Sequence, residues 1–415
     1  MTRAEIISVG TEHLVGQIVD TNAPYLCSVL AGLGIGVYFR STVGDNTRRV
    51  QDVFFQAMRR VDLVLCTGGL GPTDDDLTVA AVATALGIHL ERNEEAWAHI
   101  QEFFRARQRP MTGQQEKQAM IPQGAQVIPN TRGSAPGVIM ERDGKTLIFL
   151  PGVPREMKGM MEDHVIPYLV ARGLGGQEVI RSRILRITGL GESAVEDRVR
   201  DLMREGTNPT IAPYAHTGET HLRITARGTP EEAERLLAQT EAALRERLGE
   251  TIYGVGDAPL EEAVARLLAA RGVSIALAES CTGGLIGHRL TRTPGASVYL
   301  DGGVIAYSNA AKHRWLGVAD GLIERHGAVS AEVARAMAKA VRAQARTDLG
   351  IASTGIAGPG GATPGKPVGL VYLALAHTRG TDVREMRFGT EPGREGVKYL
   401  AAQVALDMIR LYLLR

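Results

Sequence analysis

The segments that decide the fold of the first part of the chain are AEIISVG (4–10), DTNAPYLCSVLAGLG (20–34), IGVYFRSTVGD (35–45) and DLVLCTGG (62–69). Short apolar runs alternate here with helical stretches, which is typical of a parallel sheet covered by helices on both faces. The sequence therefore predicts a three-layer α/β domain. Because Gly10, Gly44 and Gly68 each follow an apolar run, we expect a ligand site along the carboxyl edge of that sheet.

Two further regions follow this domain. Residues 171–254 predict a small α+β module of two or three strands and two helices, bounded by glycine-rich connections. From 255 onwards, strands and helices alternate again, and the apolar periodicity predicts helices near 330–346 and 394–413. The predicted domains are therefore 1–170, 171–254 and 255–415, with α/β domains at both ends.

Composition narrows the class of protein. The 415 residues carry a formal net charge of +1, so no strong field favours nucleic acid or anionic lipid as a partner. The three cysteines show no CxxC spacing, which indicates a reducing compartment rather than a disulfide framework. No apolar run is long enough for a signal peptide or a membrane span, so we expect a cytoplasmic protein.

The segment ALAESCTGGLIGHRL (276–290) follows an apolar run and opens a helix, which places Ser280 at a strand-to-helix turn. Free backbone N–H groups and the positive end of a helix can stabilise an oxyanion there. Serine is also a preferred helix-capping residue, so a purely structural role for Ser280 stays open at this point. Cys281 is a rival nucleophile, but no histidine is placed by a motif to pair with it.

A serine nucleophile needs a base, and a lysine made neutral by desolvation can act as one. Lys312 lies in GGVIAYSNAAKHRWLG (302–317), and lysine is scarce in this chain, whereas most isolated lysines are solvated surface residues. The segment STGIAGPGGATPGKPVG (353–369) adds a Gly/Pro-rich loop headed by Ser353 and Thr354.

In the first domain, CTGGLGPTDDDLT (66–78) places glycines 68, 69 and 71 before three aspartates. Such a turn can present a nest of N–H groups to phosphate, and Asp74, Asp75 and Asp76 are oxygen ligands suited to a divalent cation. Aspartates also commonly cap a helix N-terminus, and this interpretation stays open for each of them.

ESCTGG, the segment from Tyr307 to Lys312 and STGIAGPGG resemble the C-terminal domain of the CinA family, the nicotinamide-mononucleotide deamidases, over about 255–415. The resemblance implies an amidase that needs no cofactor, with Ser280 as nucleophile and Lys312 as general base. It also implies that substrate phosphate meets Arg394, which could otherwise be an ordinary exposed arginine at a helix start. The site residues that the resemblance implies are Ser280, Lys312, Tyr307, Cys281, Thr282, Gly283, Thr354, Gly355 and Arg394, with an oxyanion held by the amides of the Cys281–Gly283 turn.

VGTEHLVGQIVDTN (9–22), VGDN (43–46), PNTRGSAPG (129–137) and LPGVPREM (150–157) are similar, together with the glycine–aspartate segment, to the molybdopterin-binding fold of MoaB and MogA proteins. The version fused in CinA proteins implies an ADP-ribose pyrophosphatase that uses a divalent metal (Mg, Mn or Co). The candidate residues are Glu12, Asp20, Asp45, Gly68, Gly69, Gly71, Asp74, Asp75, Asp76 and Glu156, with Asp74, Asp75 and Asp76 as the metal ligands. Relatives often have GTELLLG where this chain has GTEHLVG (10–16). The histidine that this places beside Glu12, His13, is either a ligand or a structural residue.

Three hypotheses follow from the sequence: an amidase with a second hydrolase activity, a pyrophosphate hydrolase with an auxiliary C-terminal domain, and a pterin- or nucleotide-binding scaffold without turnover. The first has the most complete catalytic set. Its expected partners are nicotinamide mononucleotide and ADP-ribose, and we expect a homodimer because symmetric assembly is common among such enzymes.

Overall fold

The computed structural model describes residues 2–415, apart from the side chain of Glu205. The chain divides into two compact units, one formed by the residues up to 181 with 226–235, the other by 182–225 with 236–415. The stretch 171–254, predicted as one module, contributes to both. No helix in the described part of the chain is long and apolar enough to cross a bilayer.

The N-terminal domain is a six-stranded sheet with helices on both faces. Its strands are β1 (Arg3–Val9), β2 (Gly36–Val43), β3 (Leu63–Thr67), β4 (Leu90–Arg92), β5 (Met120–Pro122), β6 (Gln126–Ile128), β7 (Gly137–Arg142) and β8 (Lys145–Leu150). Its helices are α1 (Thr11–Leu14), α2 (Asn22–Gly32), α3 (Thr47–Arg60), α4 (Thr78–Ala85), α5 (Glu94–Ala106), α6 (Pro154–Met160) and α7 (Ile166–Ala171). A π-helical turn (Met161–Val165) joins α6 to α7, and a 3₁₀ helix (Gly113–Ala119) precedes β5.

The sheet has the order β2-β1-β3-β8-β7-β6, and β4 pairs with β5 in a separate ribbon. Alternate residues of β1 enter opposite cores: Ile6 packs in the core with α2, α6 and α7, whereas Ile7 packs in the core with α3 and α4. The predicted three-layer α/β fold is thereby confirmed.

The sheet is not wholly parallel, which corrects the prediction. Strands β1, β2, β3 and β8 are parallel, but β7 runs antiparallel to β8 and β6 antiparallel to β7. Asp143 and Gly144 connect β7 to β8 with φ values of 51° and 72°. Two central residues at positive φ make a tight hairpin, and this connection forces an antiparallel pair.

The middle of the chain has one sheet and two helices. The elements are β9 (Val179–Ile187), α8 (Glu192–Glu205), β10 (Thr210–His216), β11 (Glu219–Gly228), α9 (Pro230–Leu248), a 3₁₀ turn (Gly249–Thr251) and β12 (Ile252–Val255). The sheet order is β10-β11-β9-β12, so there are four strands where two or three were predicted. Strand β10 contains Pro213, which weakens a strand signal, and it lies at the sheet edge where proline is tolerated.

The C-terminal domain is a five-stranded sheet between two helical layers. Its elements are α10 (Leu260–Arg271), β13 (Ile275–Glu279), α11 (Leu285–Thr291), a 3₁₀ turn (Ala296–Val298), β14 (Leu300–Ile305), α12 (Asn309–Leu316), α13 (Asp320–His326), α14 (Ala331–Ala345), β15 (Leu349–Gly355), β16 (Leu370–His377), β17 (Gly380–Arg387) and α15 (Gly393–Leu414). The predicted helices near 330–346 and 394–413 are confirmed as α14 and α15.

Strand β13 lies inside this sheet, whose order is β14-β13-β15-β16-β17. Its residues Ile275 and Leu277 pack in the core with α10 and α15, and Ala276 and Ala278 pack on the other face with α14. Strands β13, β14 and β15 are parallel. The carboxyl end of β13 therefore opens between two parallel neighbours, the edge at which open α/β sheets bind ligands.

Candidate functional site

Ser280 is the first residue after β13 and begins a turn that leads into α11. Its amide donates to the Ser353 carbonyl on the neighbouring strand β15 at 3.0 Å. Gly283 and Gly284 follow with φ values of 61° and 97°, a left-handed conformation that glycine adopts without a steric penalty. The two glycines reverse the chain, and Ser280 is held at the carboxyl edge of the sheet.

Lys312 meets Ser280 from α12. The Lys312 Nζ lies 2.9 Å from the Ser280 Oγ, 3.0 Å from the Ala306 carbonyl oxygen and 3.3 Å from that of Tyr307. Ser308 fixes the start of α12, because its hydroxyl accepts from the Ala311 amide. The lysine is therefore delivered by a capped helix rather than by a mobile loop.

The lysine is buried, since only 2% of its surface is exposed. Among the side chains that the structure describes, no carboxylate forms a salt bridge with it. Burial lowers the pKa of Lys312 because desolvation penalises the ammonium form. A lysine with a lowered pKa beside a serine hydroxyl is the arrangement that a serine–lysine hydrolase needs.

Cys281, the rival nucleophile, is also buried. Desolvation raises the pKa of its thiol to about 12, so the thiolate is scarce at neutral pH. Because the thiolate is the reactive form of cysteine, this environment disfavours Cys281 as the nucleophile.

The Glu279 carboxylate caps the start of α11, a role that was not predicted from the sequence. It accepts from the amides of Gly284 (2.9 Å), Ile286 (3.1 Å) and Gly287 (2.8 Å), and from the Thr282 hydroxyl (2.7 Å). An acidic residue just before a Thr-Gly-Gly turn that opens a helix is the signal that could have indicated it.

A cavity of about 230 Å³ opens beside the Ser280–Lys312 pair. Seven of the nine predicted C-terminal site residues line it: Ser280, Cys281, Tyr307, Lys312, Thr354, Gly355 and Arg394. The Arg394 guanidinium donates to the Tyr307 hydroxyl and to the Gly358 carbonyl, both at 2.6 Å. Asn309 and the 356–361 loop also line the cavity and were not predicted.

Thr282 and Gly283 do not line the cavity. The Thr282 hydroxyl is turned to Glu279 and lies 2.7 Å from the Ser353 hydroxyl. The Gly283 amide donates to the Ser280 carbonyl. Of the amides predicted to hold the oxyanion, only that of Cys281 belongs to a residue that lines the cavity.

A second cavity, of about 470 Å³, lies at the carboxyl edge of the N-terminal sheet. It contains nine of the ten predicted N-terminal residues: Glu12, Asp20, Asp45, Gly68, Gly69, Gly71, Asp75, Asp76 and Glu156. The structure thus brings together residues that are up to 144 positions apart in the chain, counted from Glu12 to Glu156.

The glycine turn after β3 is closely packed. A Cβ atom on Gly68 would lie 2.0 Å from the Val9 carbonyl oxygen, and one on Gly69 would lie 2.1 Å from the Thr78 hydroxyl. The Gly68 amide donates to the Leu150 carbonyl, whereas the amides of Gly69 and Gly71 have no acceptor within residues 2–415. Two amides of this turn are thus available to an anion.

Three carboxylates of this cavity, those of Asp45, Asp76 and Glu156, accept hydrogen bonds from neighbouring residues. Asp45 accepts from the Thr11 amide and hydroxyl (2.8 Å each), and Asp76 accepts from the Thr73 amide (3.0 Å). Glu156 accepts from the Asn130 side chain at 2.7 Å. Each carboxylate is held in place and still has oxygen lone pairs for a ligand.

The predicted metal set of Asp74, Asp75 and Asp76 does not form. Asp74 is exposed and lies outside the cavity, and the single Thr73 hydroxyl lies within hydrogen-bond reach of both Asp75 and Asp76. Within residues 2–415, no three His, Cys, Asp or Glu side chains are gathered for a metal ion. Because Asp74 lies outside the cavity that Asp75 and Asp76 line, the three aspartates do not face one site. One or two carboxylates together with substrate phosphates, as Mg²⁺ often uses, fit the oxygen donors that are present.

His13 lies in the wall of this cavity, and its buried Nδ1 has no partner in the described part of the chain.

The fold and the two cavities define a multidomain α/β protein with a ligand-sized cavity in its N-terminal domain and a buried serine–lysine pair in its C-terminal domain. Family models match residues 5–171 as a probable molybdopterin-binding domain, 182–254 as the KH domain of damage-inducible protein CinA, and 257–413 as the CinA C-terminal domain. The chain belongs to the CinA family.

Two relatives match nearly the whole length of the chain, and a solved structure matches part of it. A competence-damage inducible protein of Caldanaerobacter subterraneus subsp. tengcongensis is 48% identical over 99% of this chain and 98% of its own. A CinA-like protein of Dictyoglomus thermophilum is 47% identical over 99% of both chains. A crystal structure of CinA from Thermoplasma acidophilum, described as of unknown function, is 36% identical over 40% of this chain and 97% of its own, with a TM-score of 0.38.

Proposed function

We propose that the C-terminal domain hydrolyses the carboxamide of nicotinamide mononucleotide to nicotinic acid mononucleotide and ammonia. The observation that carries the proposal is the 2.9 Å approach of the Lys312 Nζ to the Ser280 Oγ in a buried site with a lowered lysine pKa. A general base must lie within hydrogen-bond reach of the proton that it removes, and this pair meets that condition.

The reaction proceeds through an ester intermediate. Ser280 attacks the carboxamide carbon while neutral Lys312 takes the hydroxyl proton, and the Cys281 amide receives the oxyanion. Protonated Lys312 then gives its proton to the departing ammonia. Water hydrolyses the ester with Lys312 again as base, which releases the acid and restores the Ser280 hydroxyl.

Arg394 binds the phosphate of the substrate in this proposal. Its side chain lines the same cavity as Ser280 and donates to the Tyr307 hydroxyl, and a guanidinium can bind phosphate through two parallel hydrogen bonds. A cavity that holds both the attacking hydroxyl and a phosphate-binding group favours a nucleotide over a free amide.

Ammonia release from nicotinamide mononucleotide by the purified full chain, in the presence of EDTA, tests the amidase. Ser280→Ala should abolish release, because the attacking oxygen is removed. Cys281→Ala should retain it and serves as the neighbouring control. No release by the unchanged protein, or release that survives Ser280→Ala, would refute the proposal.

The N-terminal cavity supports a second candidate activity, metal-dependent hydrolysis of the pyrophosphate of ADP-ribose. The supporting observation is that free amides of a glycine turn and fixed carboxylates line one cavity. A divalent cation would neutralise phosphate charge and activate water there, with Asp45 and Asp76 as the residues that would hold it. The amides of Gly69 and Gly71 would bind the phosphate oxygens.

Two aspartate variants test whether this cavity is the site of ADP-ribose cleavage. Asp76→Asn should lower ADP-ribose cleavage by about tenfold or more, since a bound metal would lose a charged ligand. Asp74→Asn is the matched control because Asp74 lies outside the cavity, and it should cleave at the normal rate. ADP-ribose that binds but is never cleaved, with Mg²⁺, Mn²⁺ or Co²⁺ added, would instead favour a nucleotide-binding scaffold.

A further inference from the structure

A third cavity, of about 320 Å³, lies between the four-stranded sheet and helices α10, α11 and α15. The charged residues that line it are Arg186, Glu219, Glu261, Arg289 and Arg292, and the Tyr399 ring forms part of its wall. It shares no lining residue with the Ser280 cavity or with the cavity of the N-terminal domain.

Arg289 is the centre of this cavity and is only 4% exposed. Its Nε and Nη2 donate to the Glu261 carboxylate at 3.2 and 2.7 Å, and Nη2 also donates to the Gln403 side-chain oxygen at 2.6 Å. Arg292 donates to the other oxygen of Glu261 at 3.0 Å. One carboxylate is therefore shared between two guanidinium groups.

Three buried donors around this cavity have no acceptor within residues 2–415. They are the Nη1 of Arg289 and the Nε of Arg186, two residues that line the cavity, and the Nε2 of Gln403, which does not line it but whose side-chain oxygen accepts from Arg289. Leaving a buried donor unpaired is costly, and more so for a charged group, so native proteins satisfy nearly all such atoms. All three unpaired atoms here are donors, which indicates that the missing partner is an acceptor.

The charges agree with this interpretation. Three guanidinium groups face two carboxylates, Glu219 and Glu261, which leaves one net positive charge. Glu219 is itself occupied, because it accepts from the Tyr253 hydroxyl and lies 2.7 Å from the His221 Nε2. No three metal-binding side chains are gathered here or elsewhere in the described chain, so a cation is disfavoured.

We propose that this cavity is an anion site that binds a phosphate group beside Arg289 and Arg186. Arginine suits phosphate because its planar donors match the oxygens in pairs. The cavity exceeds the size of one phosphate ion, and Leu260, Leu285 and Tyr399 give it an apolar wall. The phosphate is therefore either free or carried by a mononucleotide whose base packs on that wall.

Equilibrium dialysis of the full chain with radiolabelled inorganic phosphate tests the site. An Arg394→Met background removes the contact expected for phosphate in the amidase cavity, and the N-terminal glycine turn is unchanged in every variant compared. In that background, Arg289→Lys should bind one equivalent of phosphate less, because lysine cannot reproduce the paired donors. Arg292→Gln should weaken binding by about fivefold to tenfold.

Arg266→Gln is the matched control. Arg266 resembles Arg292 in exposure and in pairing: its side chain is 63% exposed and pairs with Glu262, and that of Arg292 is 61% exposed and pairs with Glu261. Unlike Arg292, Arg266 does not line the cavity. It should leave phosphate binding unchanged. Circular dichroism shows whether Arg289→Lys folds, and if it does not, Arg292→Gln decides the question.

Glu219→Gln gives a test of sign. Removal of a negative charge should tighten phosphate binding, whereas weaker binding would refute an anion site. Competition by adenosine monophosphate that is stronger than by unlabelled phosphate identifies a mononucleotide site, and equal competition identifies a free-phosphate site. Equal phosphate binding by the parent, Arg289→Lys and Arg292→Gln proteins would overturn the proposal.

Discussion

Replacement of Glu279 by glutamine should destabilise the C-terminal unit even though the two side chains have the same shape. One carboxylate oxygen accepts from Thr282, Gly284 and Ile286, and the other accepts from Gly287 alone. The glutamine oxygen can take the first position, but its NH₂ group then faces the Gly287 N–H. One charge-assisted hydrogen bond is lost and one buried donor is left unpaired, which costs about 1–3 kcal/mol.

Differential scanning calorimetry of the full chain measures this effect in the transition of the C-terminal unit. For a unit of this size, about 2 kcal/mol corresponds to a Tm lower by about 4–8 °C. Glu262→Gln is the control, since its side chain is 43% exposed and a surface change should stay within about 0.5 kcal/mol. If Glu279→Gln melted together with the control, the carboxylate would not be what holds the turn.

Three further results are expected. The kcat/KM of ammonia release should rise with pH through one ionisation whose midpoint lies below that of an ordinary lysine, because burial lowers the pKa of Lys312 and only its neutral form is a base. Lys312→Arg should be inactive at every pH, and a kcat/KM that falls as the pH rises over this range would contradict the role of Lys312 as the base. Because burial raises the pKa of the Cys281 thiol to about 12, iodoacetamide at pH 8 should alkylate Cys281 in urea but not in the folded protein, as measured by peptide mass spectrometry. Rapid alkylation of the folded protein would show that the Cys281 thiol is not buried. Arg394→Met should raise the KM for nicotinamide mononucleotide by about tenfold or more, but it should not change kcat/KM for the riboside, which lacks the phosphate. An equal loss of kcat/KM for both substrates would show that Arg394 does not bind the phosphate.

The sequence predicted the parts of the site that lie at ends of regular elements. Apolar runs followed by glycine located the carboxyl edge of the N-terminal sheet, and the apolar run before Ser280 located that of the C-terminal sheet. A cavity opens at each edge. The pairing of Ser280 with Lys312 came from the resemblance to CinA proteins, because a separation of 32 residues has no local signature. Once β13 and β14 are adjacent and parallel, α12 begins beside the end of β13, and the pairing follows from the topology.

What the sequence did not predict depends on which way a side chain points. Glu279, Ser280 and Cys281 are consecutive, yet only the last two face the cavity, and Glu279 turns back to the helix start. The three neighbouring aspartates were expected to share an ion, but Asp74 is exposed and lies outside the cavity. Their position in the sequence did not show which way each side chain points. The cavity around Arg289 has no motif at all, since strands and helices far apart in the chain build it.

The position of the Lys312 nitrogen between two backbone carbonyls has a consequence for proton movement. A neutral amine has two hydrogens and one lone pair, so when both hydrogens point to the oxygens of Ala306 and Tyr307, the lone pair is directed at the Ser280 hydroxyl. An ammonium group has three hydrogens, which the same three neighbours can all accept. Both protonation states thus fit one set of heavy-atom positions, and a proton can cross between serine and lysine in either direction without any rearrangement of the protein around it.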